Sequence, residues 1–181
     1  IRNLEVDFFG GEPLLAADTL KELVEYCRLK EKEYRKRFNF TLTTNATLLN
    51  DEIIEWVIDN DISMILSLDG RKETNDRHRV FNNGNGTYEI ILPWIKKMVA
   101  SNPLSYYVRG TFTRKNLDFS KDLQHLIDNG FNCLSLEPAV GPDNGFSILE
   151  EDLPQVLKEY EKLTAVLVNE YQAGKDIHFF H

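Results

Sequence analysis

Two periodicities alternate along the chain. Short runs place apolar residues at every second position and longer runs place them three and four apart, the signatures of half-buried strands and amphipathic helices. Leu4, Val6 and Phe8 alternate with Glu5 and Asp7, predicting a strand that starts at Leu4 and ends at Phe9. Leu20, Leu23, Val24 and Cys27 share one face of a helix over 18–37, and a second strand covers 38–44. Asn50 then caps a short helix in which Asp51 and Glu52 suit the dipole and Ile53, Ile54, Val57 and Ile58 face inward. A third strand over 63–68 leads into a long polar loop over 69–86. The helix over 88–101 repeats Ile90, Ile91, Trp94, Ile95, Met98 and Val99. A strand over 106–113, a helix over 120–129 ended by Gly130, and a strand over 133–137 follow. Past a Gly/Pro-rich loop, a helix over about 151–173 is closed by Gly174.

Strand and helix alternate five times, which implies parallel strands joined by right-handed crossovers, in a barrel or a doubly wound sheet. No linker, repeat or low-complexity segment divides residues 1–181, so one domain is expected. Strands of this class are usually apolar throughout; these are not. Glu5 and Asp7 oppose Leu4, Val6 and Phe8; Thr41, Thr43 and Asn45 oppose Phe40, Leu42 and Thr44. Ser63, Ser67 and Asp69 oppose Met64, Leu66 and Leu68; Tyr107, Arg109, Thr111 and Thr113 oppose Val108 and Phe112; Ser135 and Glu137 oppose Leu134 and Leu136. One face of the sheet is thus apolar and the other polar. Either the polar face lines a wet or ligand-filled lumen, or its groups satisfy one another across neighbouring strands, since each one buried unpaired costs about 1–3 kcal/mol.

Ligands of parallel α/β folds bind at the carboxyl ends of the strands. Those ends read Glu12, Asn45, Ser67 with Asp69, Arg109 with Thr111, and Glu137. The first ends in Gly10-Gly11-Glu12-Pro13, where two residues without Cβ let a ligand approach the backbone and a carboxylate suits an ammonium. A strand-to-helix turn with a capping acid is the plain alternative. Arg109 offers a fork for a carboxylate, or an ion pair with Glu137 or Asp69; Asn45 and Ser67 suit hydroxyls. Asp69 is expected to bond the turn it starts with Gly70. Arg71, Lys72, Arg77, His78 and Arg79 form a basic run at the strand mouth, a solvated face or a substrate contact. No dinucleotide fingerprint, P-loop or H-E-x-x-H occurs, and His78, His125, His178 and His181 are scattered.

Bulk composition narrows the partners. A net charge of −8 argues against nonspecific nucleic-acid or anionic-membrane binding, and no run approaches the ~20 apolar residues of a membrane span. The two cysteines, Cys27 and Cys133, fall in a predicted helix and a predicted strand, which suits a reducing, cytoplasmic setting without a disulfide framework.

The segments VDFFGGEPLL, FTLTTNATLL, ILSLDGRKETNDRHR, YYVRGTFTRKNLDF and LSLEPAV, in this order, resemble radical S-adenosylmethionine enzymes with the SPASM/twitch extension. The nearest likeness is to maturases of six-cysteines-in-forty-five peptides, which form thioether cross-links in ribosomally made peptides. The resemblance implies a partial (β/α)6 TIM-like barrel, of which five units appear here. It implies S-adenosylmethionine as cofactor, with Gly10, Gly11 and Glu12 at its amino group and Asn45 and Ser67 at its ribose or methionine end. Arg109 would meet its carboxylate and the backbone of Ala139 and Val140 its adenine. Ala46 stands where relatives often have glycine.

The family's first strand and its three-cysteine loop, which binds a four-iron four-sulfur cluster, are expected upstream of Ile1, and the auxiliary-cluster cysteines beyond His181. Cys27 and Cys133 do not replace such a loop. The implied partner is a cysteine-rich precursor peptide, from which a 5′-deoxyadenosyl radical takes hydrogen before sulfur bonds to carbon. Asp69, Arg77 and Arg79, in the 69–86 loop, are the candidate peptide contacts. With the first strand upstream, the strand from Leu4 to Phe9 becomes an edge with Val6 and Phe8 uncovered, a surface expected to self-associate. The alternatives are another SPASM-type enzyme, sulfatase-maturating or carbon–carbon cross-linking, and a barrel that only binds a peptide or metabolite.

Overall fold

The computed structural model describes residues 1–142 and 145–180. Strands β1 (Asn3–Phe8), β2 (Arg37–Thr44), β3 (Ile62–Ser67), β4 (Tyr106–Phe112), β5 (Cys133–Pro138) and β6 (His178–Phe180) take sheet positions in chain order. Between them lie helices α1 (Ala17–Tyr34), α2 (Asp51–Asp59), α3 (Lys72–His78), α4 (Tyr88–Ala100), α5 (Phe119–Asp128) and α6 (Leu153–Gln172). The chain forms two compact units, Ile1–Ser67 with Ile90–Tyr107, and Leu68–Glu89 with Val108 onward.

In the first unit β1, β2 and β3 run parallel, with Val6 opposite Phe40 and Leu42 opposite Met64. The alternation in the sequence is the alternation in burial: Phe8, Phe40, Leu42, Ile62, Met64 and Leu66 are buried, whereas Glu5 and Asp7 are exposed and Thr41, Thr43, Ser63 and Ser67 partly so. Edge strand β1 is better covered than expected. Phe8 is buried because its ring stacks on Phe40 with centroids 5.8 Å apart, and Val6 is half-buried. Arg28 of α1 fastens the helix down, donating to the carbonyls of Phe38 at 2.8 Å and Asn60 at 2.6 Å. The helix stops at Tyr34, short of the predicted 37, because Arg35 turns left-handed at φ 51°. Asn50 caps α2 as expected, its Oδ1 accepting from Ile53 N at 3.0 Å.

In the second unit β4 pairs parallel with β5, placing Arg109 opposite Ser135 and Thr111 opposite Glu137. β6 adds a strand that the apolar pattern does not announce: three residues are too few to show alternation, and pairing with β5 from Cys133↔His178 onward defines it. Phe112 stacks on Phe119 at 4.0 Å, with Tyr160 of α6 edge-on at 5.1 Å from Phe119. Glu159 of α6 is buried and accepts from the Ser120 backbone N–H at 3.2 Å and from its hydroxyl, so one helix caps the start of another.

Residues 69–86 are not a loop throughout, for α3 occupies their middle. Its sequence KETNDRH holds no apolar residue, so it has no hydrophobic period to read. Polar bonds hold it instead. Asp122 Oδ1 accepts from Arg71 N at 3.0 Å, Arg71 Nε at 2.7 Å and Thr74 Oγ1 at 2.9 Å, while Asp118 accepts from Arg71 Nη2 at 2.9 Å. Asn75 donates to Thr87 Oγ1 at 3.1 Å, and Asp76 accepts from Tyr88 N at 2.8 Å. Arg71 is therefore not part of a solvated face. Gly70 lets the chain reach Asp122: its φ is 119°, and a Cβ there would lie 2.3 Å from the Asp122 Cβ.

Gly70→Ala is expected to destabilise the chain by about 2–4 kcal/mol in urea melts, combining overpacking with an unfavourable φ. The hydrogen bonds from Arg71 hold the Asp118 carboxyl below the usual carboxylate range, against the opposing push of burial. Its contribution is therefore complete above the unfolded-state value of about 4 and is lost as pH falls through the folded-state value. Asp118→Asn should flatten the acid limb of a stability–pH curve recorded from about pH 6 to about pH 3.

Candidate functional site

In the first unit the candidate residues gather at the ends of β1, β2 and β3. After β1, Gly10 turns to φ 149°, and a Cβ at Gly10 or Gly11 would meet nothing within 4 Å, so bare backbone faces open space. Glu12 follows in extended conformation and caps a 3-10 turn over Pro13–Ala16. Its Oε1 accepts from Leu14 N at 3.1 Å and Thr44 Oγ1 at 2.8 Å; its Oε2 accepts from Asn45 N at 2.8 Å. The capping role and the binding role are thus both open to this side chain. A carboxylate offers about four lone-pair sites, so one stays open on Oε2, and no cation pairs with Glu12 among the described residues. Thr44, which the sequence did not mark, fixes that carboxylate and also accepts from Ala46 N at 3.0 Å. Ala46 is buried at φ 64°, a left-handed position where a Cβ is strained, which accounts for the glycine expected there. Asn45 Oδ1 accepts from Thr47 N at 3.0 Å and Thr47 Oγ1 at 2.6 Å, leaving its amide NH2 for a ligand. Ser67 ends β3 on the polar, partly exposed side.

The second unit separates two arginines that the sequence left equivalent. Asp69 is buried and does not bond the Gly70 turn as expected. It accepts from Arg79 Nε and Nη2, both at 2.8 Å, and from Thr111 N at 2.9 Å. Arg79 is therefore committed to a bidentate fork that helps position the end of β4, rather than standing free at the strand mouth. Arg77 is exposed and donates to the Lys115 carbonyl. Arg109 lies 3.8 Å from Glu137, beyond hydrogen-bond length, with both side chains partly exposed at 32% and 47%. Its partner in register, Ser135, is buried, and the Ser135 Oγ has no hydrogen-bond partner among the described residues. Ala139 uses its own backbone in the fold, donating to Phe112 O and accepting from Ile148 N, each at 2.8 Å, whereas Val140 is 79% exposed. A cleft of about 310 Å³ is lined by Asp69, His78, Arg79, Thr111, Thr113 and Phe146.

These groups are best taken unit by unit. In the first, a fixed carboxylate without a cationic partner among the described residues stands beside bare peptide groups and suits an ammonium. In the second, a loosely held guanidinium beside a serine hydroxyl without a partner among the described residues suits a carboxylate. They do not fit an iron–sulfur cluster. Cys27 lies on α1 and Cys133 on β5, both as free thiols, and no group of three His, Cys, Asp or Glu side chains suits a metal ion among the described residues. Among those residues no helix is long and apolar enough to cross a membrane.

A family model described as the Radical SAM superfamily matches residues 4–109. An uncharacterized protein of Methanocaldococcus jannaschii is 30% identical over 137 residues, covering 74% of this chain and 46% of the relative. A cysteine-type anaerobic sulfatase-maturating enzyme of Clostridium novyi is 30% identical over 99 residues, covering 52% of this chain and 25% of the enzyme. Among solved structures, native anSMEcpe with bound AdoMet and the Cp18Cys peptide superposes with a TM-score of 0.86 at 20% identity, over 98% of this chain and 50% of that one. At that identity the likeness is one of fold, a parallel α/β sheet of the partial-barrel type. The chain spans half or less of the length of each of these proteins.

The two ion pairs should separate in stability measurements. Asp69→Asn removes the buried partner of the Arg79 fork and is expected to cost about 2–4 kcal/mol, near the range for broken buried pairs. Glu137→Gln touches only a long, exposed contact and should change stability by less than about 0.5 kcal/mol in the same urea melts.

Proposed function

The chain belongs to the Radical SAM superfamily, and on that premise we propose that it is the S-adenosylmethionine-binding core of a peptide maturase that forms thioether cross-links in a ribosomally made, cysteine-rich precursor. Enzymes of this family use S-adenosylmethionine with a four-iron four-sulfur cluster, which together supply a carbon-centred radical for hydrogen abstraction. The residues here do the holding. Gly10 and Gly11 leave the backbone bare for the cofactor's amino end, and Glu12 takes the ammonium on its open lone pair. Because Thr44 and Asn45 already fix that carboxylate, little conformational entropy is lost when the ammonium arrives. Asn45 and Ser67 serve hydroxyls of the ribose or the methionine end. In the second unit Arg109 forks onto the carboxylate, and the backbone at Val140, rather than the committed Ala139, is left for the adenine. The fixed and uncompensated charge of Glu12 is the observation that carries the cofactor reading.

Peptide chemistry is supported by the five sequence segments and by the structural neighbours, one of which holds both AdoMet and a peptide. Another maturase chemistry on the same core is the second reading, and the Clostridium novyi relative favours it. The bond formed separates them. A thioether product retains every sulfur, loses one carbon-bound and one sulfur-bound hydrogen per link, and no longer reacts with thiol reagents. A carbon–carbon product keeps its thiols, and a product in which the cysteine side chain itself is converted differs from both in its sulfur content and mass.

Two measurements on the full-length, cluster-loaded protein test these assignments. Calorimetry should show Glu12→Gln and Arg109→Ala each weakening S-adenosylmethionine binding by about 1.5–3 kcal/mol, the range for charged hydrogen bonds; unchanged affinity in both variants would remove the cofactor assignment. Mass spectrometry of the peptide product, with and without thiol alkylation, decides between the two chemistries.

A further inference from the structure

His78 sits in the last turn of α3 and lines the cleft with Asp69, Arg79, Thr111, Thr113 and Phe146. Several of the polar groups around it are already engaged. Asp69 is filled by Arg79 and Thr111 N, and the Thr113 hydroxyl donates to Asn116 Oδ1 at 2.9 Å while accepting from Lys115 N at 3.1 Å. The Nε2 of His78, by contrast, is buried and has no hydrogen-bond partner among the described residues. Its ring is not loose: Phe146 meets it edge-on, with centroids 4.8 Å apart and planes at 86°. The next residue, Arg79, is pinned by its backbone to Asn75 O at 2.9 Å and by its side chain to Asp69. A buried ring nitrogen held in place without a partner carries an unfavourable desolvation cost, which a ligand group would relieve.

The chemistry of that ligand follows from the cleft's charge. Burial pushes the His78 imidazole below its ordinary titration range, and the neighbouring Arg77 and Arg79 push the same way against Asp69, so the ring is neutral near pH 7. Arg79 already neutralises Asp69. Among the described residues lining the cleft the charged ones, Asp69 and Arg79, already pair, whereas a neutral N–H or C=O beside an aromatic edge would find a partner. Phe146, 44% exposed, lines the same cleft and offers that apolar edge.

We propose that His78 is a ligand-contacting specificity residue whose Nε2 hydrogen-bonds a neutral amide-type group, carried by the backbone of the peptide substrate or by the adenine edge of the cofactor. This rests on the reading of the chain as a peptide maturase core, and it concerns a residue with no part in holding the cofactor's zwitterionic end.

The test is imidazole nitrogen NMR on the full-length, cluster-loaded protein with two separate probes, S-adenosylmethionine and the neutral capped peptide N-acetyl-Gly-Cys-Gly-amide. Either probe should shift the His78 Nε2 resonance, and the probe that does so identifies the source. His78→Phe, which keeps an aromatic ring, should weaken binding of that probe about tenfold, and His78→Gln, which keeps a hydrogen-bonding group, by no more than about threefold. If neither probe moves Nε2, or if acetate moves it as strongly, the proposal fails, whether or not His78→Phe folds. Because Glu12→Gln and Arg109→Ala report on the cofactor independently, a silent His78 with those variants weakened overturns this inference alone. Unchanged affinity in those two variants overturns the cofactor assignment instead.

Discussion

The second unit is organised around one buried carboxylate. Asp122 has no exposed surface, and it accepts from the Arg71 backbone, the Arg71 guanidinium, the Thr74 hydroxyl and, at 3.3 Å, the Asn116 amide. A buried charge without such partners would be strongly destabilising, so the residues that satisfy it are fixed in turn. Arg71 opens α3, Thr74 lies within it, and Gly70 has no Cβ because Asp122 occupies that space. The polar helix thereby gains a fixed position that it could not obtain from burying apolar surface. His78 and Arg79, at its end, inherit that position.

From this follows a division among the basic side chains that composition does not reveal. Arg71 and Arg79 are held by acids in bidentate or multiple contacts and act as parts of the fold. Among the described residues, Arg109 has only a long contact with Glu137 and stands beside a serine hydroxyl without a partner. A planar guanidinium loses little on exchanging so weak a contact for a carboxylate fork. In the first unit Glu12 shows the same economy with opposite sign: three hydrogen bonds hold it still, none of them from a cation. A charge held rigid in this way needs little reorganisation to meet an opposite charge.

Hydrophobic periodicity determined the strands, the longer helices and the two faces of the sheet, because alternation along a strand is the direct result of one face being buried. The glycines and the acid after the first strand were legible for a related reason, since a strand's end and the absence of Cβ are local properties. Tertiary structure alone decided the rest. A helix without apolar residues and a three-residue strand leave no period in the sequence, and each exists through partners distant in the chain, Asp122 for α3 and β5 for β6. The engagement of Arg79 by Asp69, and the want of partners at Ser135 Oγ and His78 Nε2 among the described residues, were likewise hidden. A sequence names a side chain's chemistry, but whether that chemistry is satisfied or left open depends on which distant atoms the fold brings within about 3 Å of it.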